Sequence, residues 1–334
     1  MIQIDSATNR PKYRQIIEAV ETAIQTGTVE HGQQLPSISE LADGQQIARV
    51  TVAKAYEELR QRGVIMAQHG KGFYVASTVV RGALNVFVLF DTLNAYKETL
   101  YEAFKQSLPD NTRVSLFFHH YNRDLFDSLI RDSVGGYTYY VVMPHFDSDV
   151  SETVRMIPSD KLIVVDQFIA TMPGGYGAVY QPFEQDVYNG LLAGLDRIKS
   201  YQQLTLVLSK DQFQYVPAGI ISGFKRFGRE QNLPCVVADT YQNALVRSGD
   251  AYLLFSDRDM IEFIRYTDSK GWQPGRDVGL ISYDDTPMKS ILKGGITVIS
   301  TDFAEMGRSV GRLILERSRE QIANPGGLIL RSSL

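Results

Sequence analysis

Acids, amides and aromatic rings recur at one kind of place in this chain, directly after a short apolar run. The sets are Asp91 to Tyr96, His119-His120, His145-Phe146-Asp147, Asp166-Gln167, Ser256-Asp257-Arg258 and Tyr283-Asp284-Asp285. Carboxylates and amides accept hydrogen bonds from hydroxyls, and rings pack on C–H faces. Such a set suits a polyhydroxyl ligand. The same polar residues cap helices, so position alone leaves each of them open to either role. Asn94 and Tyr96, after the first run, and His145, after the third, are candidate ligand contacts by this position.

Catalysis and metal chemistry find less support. The chain has no Gly-x4-Gly-Lys-Ser/Thr loop, no Gly-x-Ser-x-Gly elbow and no Gly-x-Gly-x-x-Gly after a strand. His119, His120 and His145 follow two successive strands, but adjacent histidines on a strand point to opposite faces and no carboxylate accompanies them at ligand spacing. Asp284 and Asp285 are neighbours in a loop, an arrangement that does not converge on one bond. Cys235 is the single cysteine, which excludes an internal disulfide or a cysteine-based metal site. The expectation is a non-enzyme with no cofactor and no metal.

The runs that deliver these residues are Leu84–Phe90, Val114–Phe118, Tyr139–Met143, Leu162–Val165, Ala178–Tyr180, Leu204–Leu208, Cys235–Ala238, Tyr252–Phe255, Val278–Ser282 and Ile296–Ser300. Helical periodicity places helices over 97–108, 122–133, 184–198, 218–231, 259–270 and 304–323. Wholly apolar strands alternating with helices predict parallel sheets covered on both faces. In such open sheets ligands bind outside the carboxyl ends of the strands, where the polar sets lie. About 250 residues are too many for one simple doubly wound sheet, so two lobes are expected.

The 334 residues are 44% hydrophobic and 22% charged, ordinary for a globular protein with more than one core. Their formal net charge of -4 excludes a general basic coat. Residues 1–82 nevertheless hold 9 basic and 8 acidic side chains, against 25 and 30 in the remainder. No apolar run approaches the ~20 residues of a membrane span. The N-terminus lacks the basic and apolar regions of a signal peptide. A cytoplasmic location, with no membrane partner, is expected.

Residues 1–76 carry a different pattern. Pro11 can open a helix whose apolar face is Tyr13, Ile16, Ile17, Val20 and Ile24, with Gly27 as its stop. Ser37 and Glu40 form a capping box for a second, very short helix, broken by Asp43-Gly44. A third helix runs from about Arg49 to Arg62 with Val52, Tyr56 and Leu59 inward, and Gly63 ends it. Val64–Ala67 and Phe73–Ala76 then form a hairpin around Gln68-His69-Gly70-Lys71-Gly72. Two short helices joined by a tight turn and followed by a hairpin describe a winged helix-turn-helix. The third helix would enter the major groove N-terminal end first, with Arg49, Thr51 and Lys54 outward.

The residues Tyr13, Gln15-Ile16, Ile24, Gly27, Gly32, Leu35-Pro36-Ser37, Glu40-Leu41-Ala42, Arg49, Thr51-Val52, Ala55-Tyr56, Leu59, Gly63 and Gly70-Lys71-Gly72 resemble the DNA-binding domain of GntR-family bacterial transcription regulators. The resemblance covers residues 10–76. It implies DNA contacts at Ser37, Ser39, Arg49, Thr51 and Lys54, and at His69, Gly70, Lys71 and Gly72 of the wing. Three positions depart from the family pattern. Ser39 stands where an Arg is usual, Gln45-Gln46 replace Leu-Gly in the turn, and Ala48 replaces a Ser that would cap the third helix. Loss of such a cap costs roughly 0.5–2 kcal/mol. Glycine often supplies the left-handed residue of such a turn, so Gln46 is expected to be strained.

Beyond the linker 77–83, two segments resemble the C-terminal lobe of LacI/GalR-type sugar-responsive regulators. They are Val278-Gly279-Leu280-Ile281-Ser282-Tyr283-Asp284-Asp285-Thr286 and Ile296-Thr297-Val298-Ile299-Ser300-Thr301-Asp302-Phe303 with Met306-Gly307. Leu254 to Met260, Gly223-Phe224 and Leu328 to Ser332 are similar to that family too, and the likeness spans 84–334. It implies that Asp284, Asp257 and Asp166 are cleft acids that take sugar hydroxyls. Ile220 stands where the family often has an Arg, which disfavours an anionic effector.

The expected fold is α/β, an N-terminal winged helix-turn-helix domain (1–76) and a two-lobe periplasmic-binding-protein-like domain with parallel sheets (84–334). The expected protein is a homodimeric repressor on a palindromic double-stranded DNA operator. A neutral monosaccharide such as L-fucose or L-arabinose would release it. The alternatives are an activator, or a small-molecule binding protein whose head has lost DNA binding.

Overall fold

The computed structural model describes residues 4, 10–68, 71–76, 84–169, 171–172, 174–208 and 215–334. The expected linker 77–83 and the wing residues His69 and Gly70 lie outside them. The described chain falls into two compact units.

The first unit opens with α1 (Lys12–Gln25), α2 (Ile38–Gln45) and α3 (Arg49–Gln61), followed by the antiparallel pair β1 (Ile65–Gln68) and β2 (Gly72–Val75). Its core joins Ile16, Ile17, Val20 and Ile24 of α1 to Leu41 of α2 and to Val52, Tyr56 and Leu59 of α3, with Val75 of β2. Tyr56 is fully buried, and its hydroxyl donates to the Pro36 carbonyl at 2.8 Å. That bond ties α3 to the loop before α2. The capping box forms: Ser37 Oγ accepts from the Glu40 N–H at 3.2 Å, and the Glu40 carboxylate accepts from the Ser37 N–H at 2.7 Å.

The expected break at Asp43-Gly44 does not occur. The helix continues to Gln45, and the reversal falls on Gln46 at φ 53°, whose N–H reaches the Ala42 and Asp43 carbonyls. One glycine inside a helix costs only about 1 kcal/mol, so it does not stop a helix whose Leu41 and Ala42 are held in a core. Ala48 precedes α3 and offers no side-chain cap, as its type dictates.

In the second unit, β3 (Asn85–Phe90), α4 (Ala95–Ser107), β4 (Arg113–Phe118), α5 (Arg123–Ser133), β5 (Tyr139–Val142), α6 (Ser151–Val154), β6 (Leu162–Asp166) and β7 (Gly177–Tyr180) build one lobe. Next come α7 (Phe183–Ala193), α8 (Leu195–Ile198), β8 (Leu204–Val207), α9 (Ala218–Gln231), β9 (Cys235–Ala238), β10 (Ala251–Leu254), α10 (Asp257–Ser269), β11 (Gly279–Tyr283), α11 (Pro287–Ile291) and β12 (Thr297–Thr301). The chain then returns with α12 (Phe303–Glu316) and β13 (Gln321–Ala323), and ends on β14 (Gly326–Ile329). The two six-stranded sheets have the orders β13-β7-β6-β5-β3-β4 and β14-β12-β11-β10-β8-β9.

All ten expected strands are present, within a residue or so of their expected ends. Corrections concern the last quarter of the chain and one helix. The helix expected over 304–323 ends at Glu316, because Arg317 turns left-handed at φ 53°. Residues 321–323 are instead a strand, parallel to β7. β14 pairs antiparallel with β12, so the second sheet is not wholly parallel. The helix expected over 184–198 divides at Gly194 into α7 and α8.

The chain passes between the lobes three times, after β7, after β12 and between β13 and β14. Helix α12 therefore packs on α4 of the first lobe. Gly307 permits this approach, since a Cβ there would collide with the Leu100 carbonyl oxygen. Asn324 fixes one crossing to another: its amide donates to Thr301 Oγ1 at 2.7 Å and to the Asp302 carbonyl at 3.1 Å.

Candidate functional site

Each unit carries one set of candidate residues. On the first, Arg49 begins α3 with its side chain 67% exposed, 3.9 Å from Asp43. A pair this loose and exposed contributes little, about 0–1 kcal/mol. Lys54, one turn on, is exposed, and its ammonium lies 4.2 Å from the centre of the Tyr13 ring. Thr51 and Ser39 are half-buried, and Lys71 is exposed at the described edge of the hairpin turn. Gly72 stands at φ 103°, a conformation that favours glycine. Ser37 lies at the same end of the head, but its hydroxyl is occupied by the capping box.

On the second unit, one cavity of about 430 Å³ gathers all six candidate ligand residues, Asn94, Tyr96, His145, Asp166, Asp257 and Asp284. The first four come from the ends of β3, β5 and β6 in one lobe, the last two from the ends of β10 and β11 in the other. Asn94 caps α4, accepting from the Lys97 N–H at 3.1 Å. Tyr96 packs on Phe303 at 4.5 Å between ring centres. Phe255 and Tyr283 stack at 4.5 Å to form an apolar wall, and Ile220 lines the same space.

His145 lies between two carboxylates. Its Nδ1 is 2.7 Å from Asp91 Oδ2 and its Nε2 is 2.8 Å from Asp166 Oδ2. Burial alone would lower the imidazole, but Asp91 and Asp166 outweigh it and raise the group to about 9. It is therefore an imidazolium at neutral pH. Nδ1 is hydrogen-bonded to Asp91, Nε2 stands at ion-pair distance from Asp166 without a hydrogen bond among the described residues, and the ring stacks on Tyr215 at 5.3 Å. Asp91 also receives the buried ammonium of Lys97. Burial would raise Asp91, yet His145 and Lys97 hold it well below the usual carboxylate range. Asp166, at φ 73°, takes a further bond from the Gln181 amide.

The opposite lobe repeats the arrangement of acid and lysine. Buried Lys289 places its Nζ 2.8 Å from Asp257 Oδ1 and donates at 2.8 Å to the carbonyls of Tyr283 and Asp284. Asp284 sits at φ 58°, and its Oδ1 has no protein partner among the described residues. Burial pushes this carboxyl up to about 7, against the pull of Lys289. Two of the three candidate cleft acids, Asp166 and Asp284, occupy left-handed backbone at a strand end, a strained conformation that clusters at functional sites.

The sequence pattern did not single out Lys97, Lys289, Gln181, Tyr121 or Tyr215, all of which line or support the cavity. A signal was present for the lysines. Each follows a strand-end acid by five or six residues, Asp91 to Lys97 and Asp284 to Lys289, which is the first turn of the next helix. His119 is held otherwise. Its Nε2 donates to the Met143 carbonyl at 3.1 Å, its Nδ1 accepts from the Tyr121 N–H at 3.2 Å, and burial lowers it to about 4. No metal-binding group of histidines, cysteines and acids forms among the described residues, and no described helix is long and apolar enough to cross a membrane.

A helix-turn-helix head joined to a two-lobe binding domain defines a class of ligand-responsive regulators. Residues 12–75 match the bacterial regulatory proteins of the gntR family, and residues 199–334 match the periplasmic binding protein-like domain. The chain is 37% identical over 90 residues to the HTH-type transcriptional repressor YtrA of Bacillus subtilis (strain 168), across 26% of this chain and 69% of that one. It is 36% identical over 70 residues to the HTH-type transcriptional regulator GgaR of Escherichia coli (strain K12), across 21% of this chain and 28% of that one. Its fold is similar to the crystal structure of a LacI family transcriptional regulator from Enterococcus faecalis V583 with bound ribose. The TM-score is 0.61 at 20% identity, over 75% of this chain and 98% of that one. The chain belongs to the gntR family of bacterial regulatory proteins, and its second part is a periplasmic-binding-protein-like domain with the fold of LacI-family regulators.

Proposed function

We propose that this regulator is a DNA-binding repressor released by a neutral sugar held between the two lobes. The observation that carries the reading is the charge balance of the cavity. Asp91 and Asp166 are matched by Lys97 and His145, and Asp257 by Lys289. Fixed acceptors remain for hydroxyls, and among the described residues the one lining cation with no acid paired to it is Arg258, which is exposed at the cavity's edge rather than buried inside it. Ile220 and the stacked Phe255 and Tyr283 offer C–H faces a surface. A cavity of about 430 Å³ lies within the ~300–1,000 Å³ of small-molecule sites. L-fucose and L-arabinose are the first sugars to test, and the ribose in the Enterococcus faecalis structure supports a monosaccharide.

In this reading residues 1–76 bind DNA, 77–83 link, and 84–334 bind the effector and dimerise. Two heads then meet the half-sites of a palindromic operator. Arg49, Thr51, Lys54 and Lys71 contact DNA, while Ser37 acts through the fold of α2. Asp166 and Asp284 take sugar hydroxyls from opposite lobes, so closure lets one ligand engage both. A ligand shifts an equilibrium only through different affinities for its two states, and closure supplies that difference. A thermal-shift screen of monosaccharides tests the reading. A sugar at 100 times its dissociation constant adds ~2.7 kcal/mol, roughly 5–10 °C for a domain of this size. The same sugar should release an operator fragment in a gel shift. A panel with no shift at any concentration refutes the neutral-sugar assignment.

A further inference from the structure

Charge and capping account for the polar residues at the exposed end of α3, but they leave Val50 without a role. Val50 is 76% exposed, whereas Val52, two residues on, is completely buried. Two residues turn an α-helix by about 200°, so Val50 lies on the face opposite the core. Arg49 and Lys54 flank it there, Ala48 before it is exposed, and Ala53 is half-buried beside it. A β-branched residue in the first turn brings no gain in helix propensity, and among the described residues this one is no part of the head's core. The result is a methyl-lined patch between two cations, on the surface that the DNA-binding reading directs into the major groove.

One groove feature is complementary to such a patch. Among the bases, only thymine presents an apolar group in the major groove, its C5-methyl. Valine has no donor or acceptor, so pressing it against a guanine or adenine edge would bury a polar atom without a partner. Resting on the DNA-binding reading above, we infer that Val50 is a sequence-reading residue. Its methyl groups, extended by Ala53, pack on a thymine methyl in each operator half-site. Lys54 and Lys71 set the register on the backbone, and Arg49 and Val50 read neighbouring base pairs.

The test uses the full chain and a random duplex DNA pool. Rounds of selection give the preferred half-site, and each thymine in it is then replaced singly by deoxyuridine, which removes only the methyl group. Wild-type protein should lose about fourfold in affinity at one thymine, the equivalent of ~0.8 kcal/mol for one buried methyl group. Val50→Ala should bind more weakly and lose that sensitivity, while sensitivity at other positions stays unchanged. Val50→Thr, of the same shape, should retain part of it, which guards against a folding effect of the alanine. If no sequence is selected, the DNA-binding reading fails and takes this one with it. If a half-site is selected but no thymine is methyl-sensitive, or the sensitivity survives in Val50→Ala, then only the role of Val50 is overturned.

Discussion

Replacing His145 by Gln removes the one cation shared by Asp91 and Asp166. Asp91 keeps Lys97, but Asp166 is left with the Gln181 amide alone. Breaking a buried ion pair from one side costs ~3–5 kcal/mol. The raised imidazole leads to a similar figure. The imidazole is raised to about 9 in the folded chain, against an ordinary value of ~6.5. That difference is worth about 3 kcal/mol of stability. Its sign is that of a group raised on folding. The stabilisation is fully present below about pH 6.5 and is lost as pH rises through about 9. Urea unfolding followed by far-UV circular dichroism should therefore show a gap between wild type and His145→Gln that is about 3 kcal/mol larger at pH 6 than at pH 9.5. A gap of the same size at both values would refute a charged His145, and with it the charge balance on which the neutral-sugar reading stands.

Asp284 behaves in the opposite sense for a carboxyl, since its folded value of about 7 lies above the ordinary ~3.9. Its ionisation opposes folding as pH rises from about 4 to 7, and Asp284→Asn should stabilise the ligand-free protein at pH 8 by about 1–3 kcal/mol relative to pH 5. Thermal melts at the two pH values check this. Asp284→Ala should bind operator with near wild-type affinity and no longer respond to the sugar, whereas a full response in a gel shift would show that this carboxyl only shapes its turn. Arg49→Ala should weaken operator binding by roughly 5- to 100-fold, the range of a bidentate base contact, and Lys71→Ala by less; wild-type titration curves for Arg49→Ala would remove α3 from the interface. In the head, Gln46→Gly relieves left-handed backbone and Ala48→Ser supplies a cap, together worth about 1–2 kcal/mol, readable by chemical denaturation.

The strands were legible because most of them are buried on both faces. Runs such as Val86 to Phe90 and Leu162 to Val165 are apolar at every position, and such runs stand out in any window. β13 and β14 were not legible. They are short edge strands whose residues are half-buried or exposed, so Gln321-Ile322-Ala323 reads as the tail of a helix. The site divides in the same way. Its acids could be found because the ends of buried strands locate them. Lys97 and Lys289 were passed over, because a lysine in a first helical turn looks like a solvated residue unless its spacing of five or six residues from a strand-end acid is weighed. The stop of α2 at Gln46 shows a further limit, since the strained residue was the expected one while the break assigned to Asp43-Gly44 was not there.

The first lobe of the binding domain is assembled from two distant parts of the chain. β3 to β7 supply five of its strands, and α12 and β13 arrive more than a hundred residues later. During synthesis the head, whose buried core lies within residues 16–75, can fold as soon as β2 leaves the ribosome. The first lobe has to wait with the outer edge of β7 unpaired and the surface of α4 that later meets Gly307 uncovered. An open strand edge invites pairing with another chain. A nascent or truncated protein therefore passes through a stage in which the head is folded while the first lobe is incomplete and prone to self-association. It is α12 and β13 that close this edge and cover this surface, so the chain protects its first lobe only near the end of its synthesis.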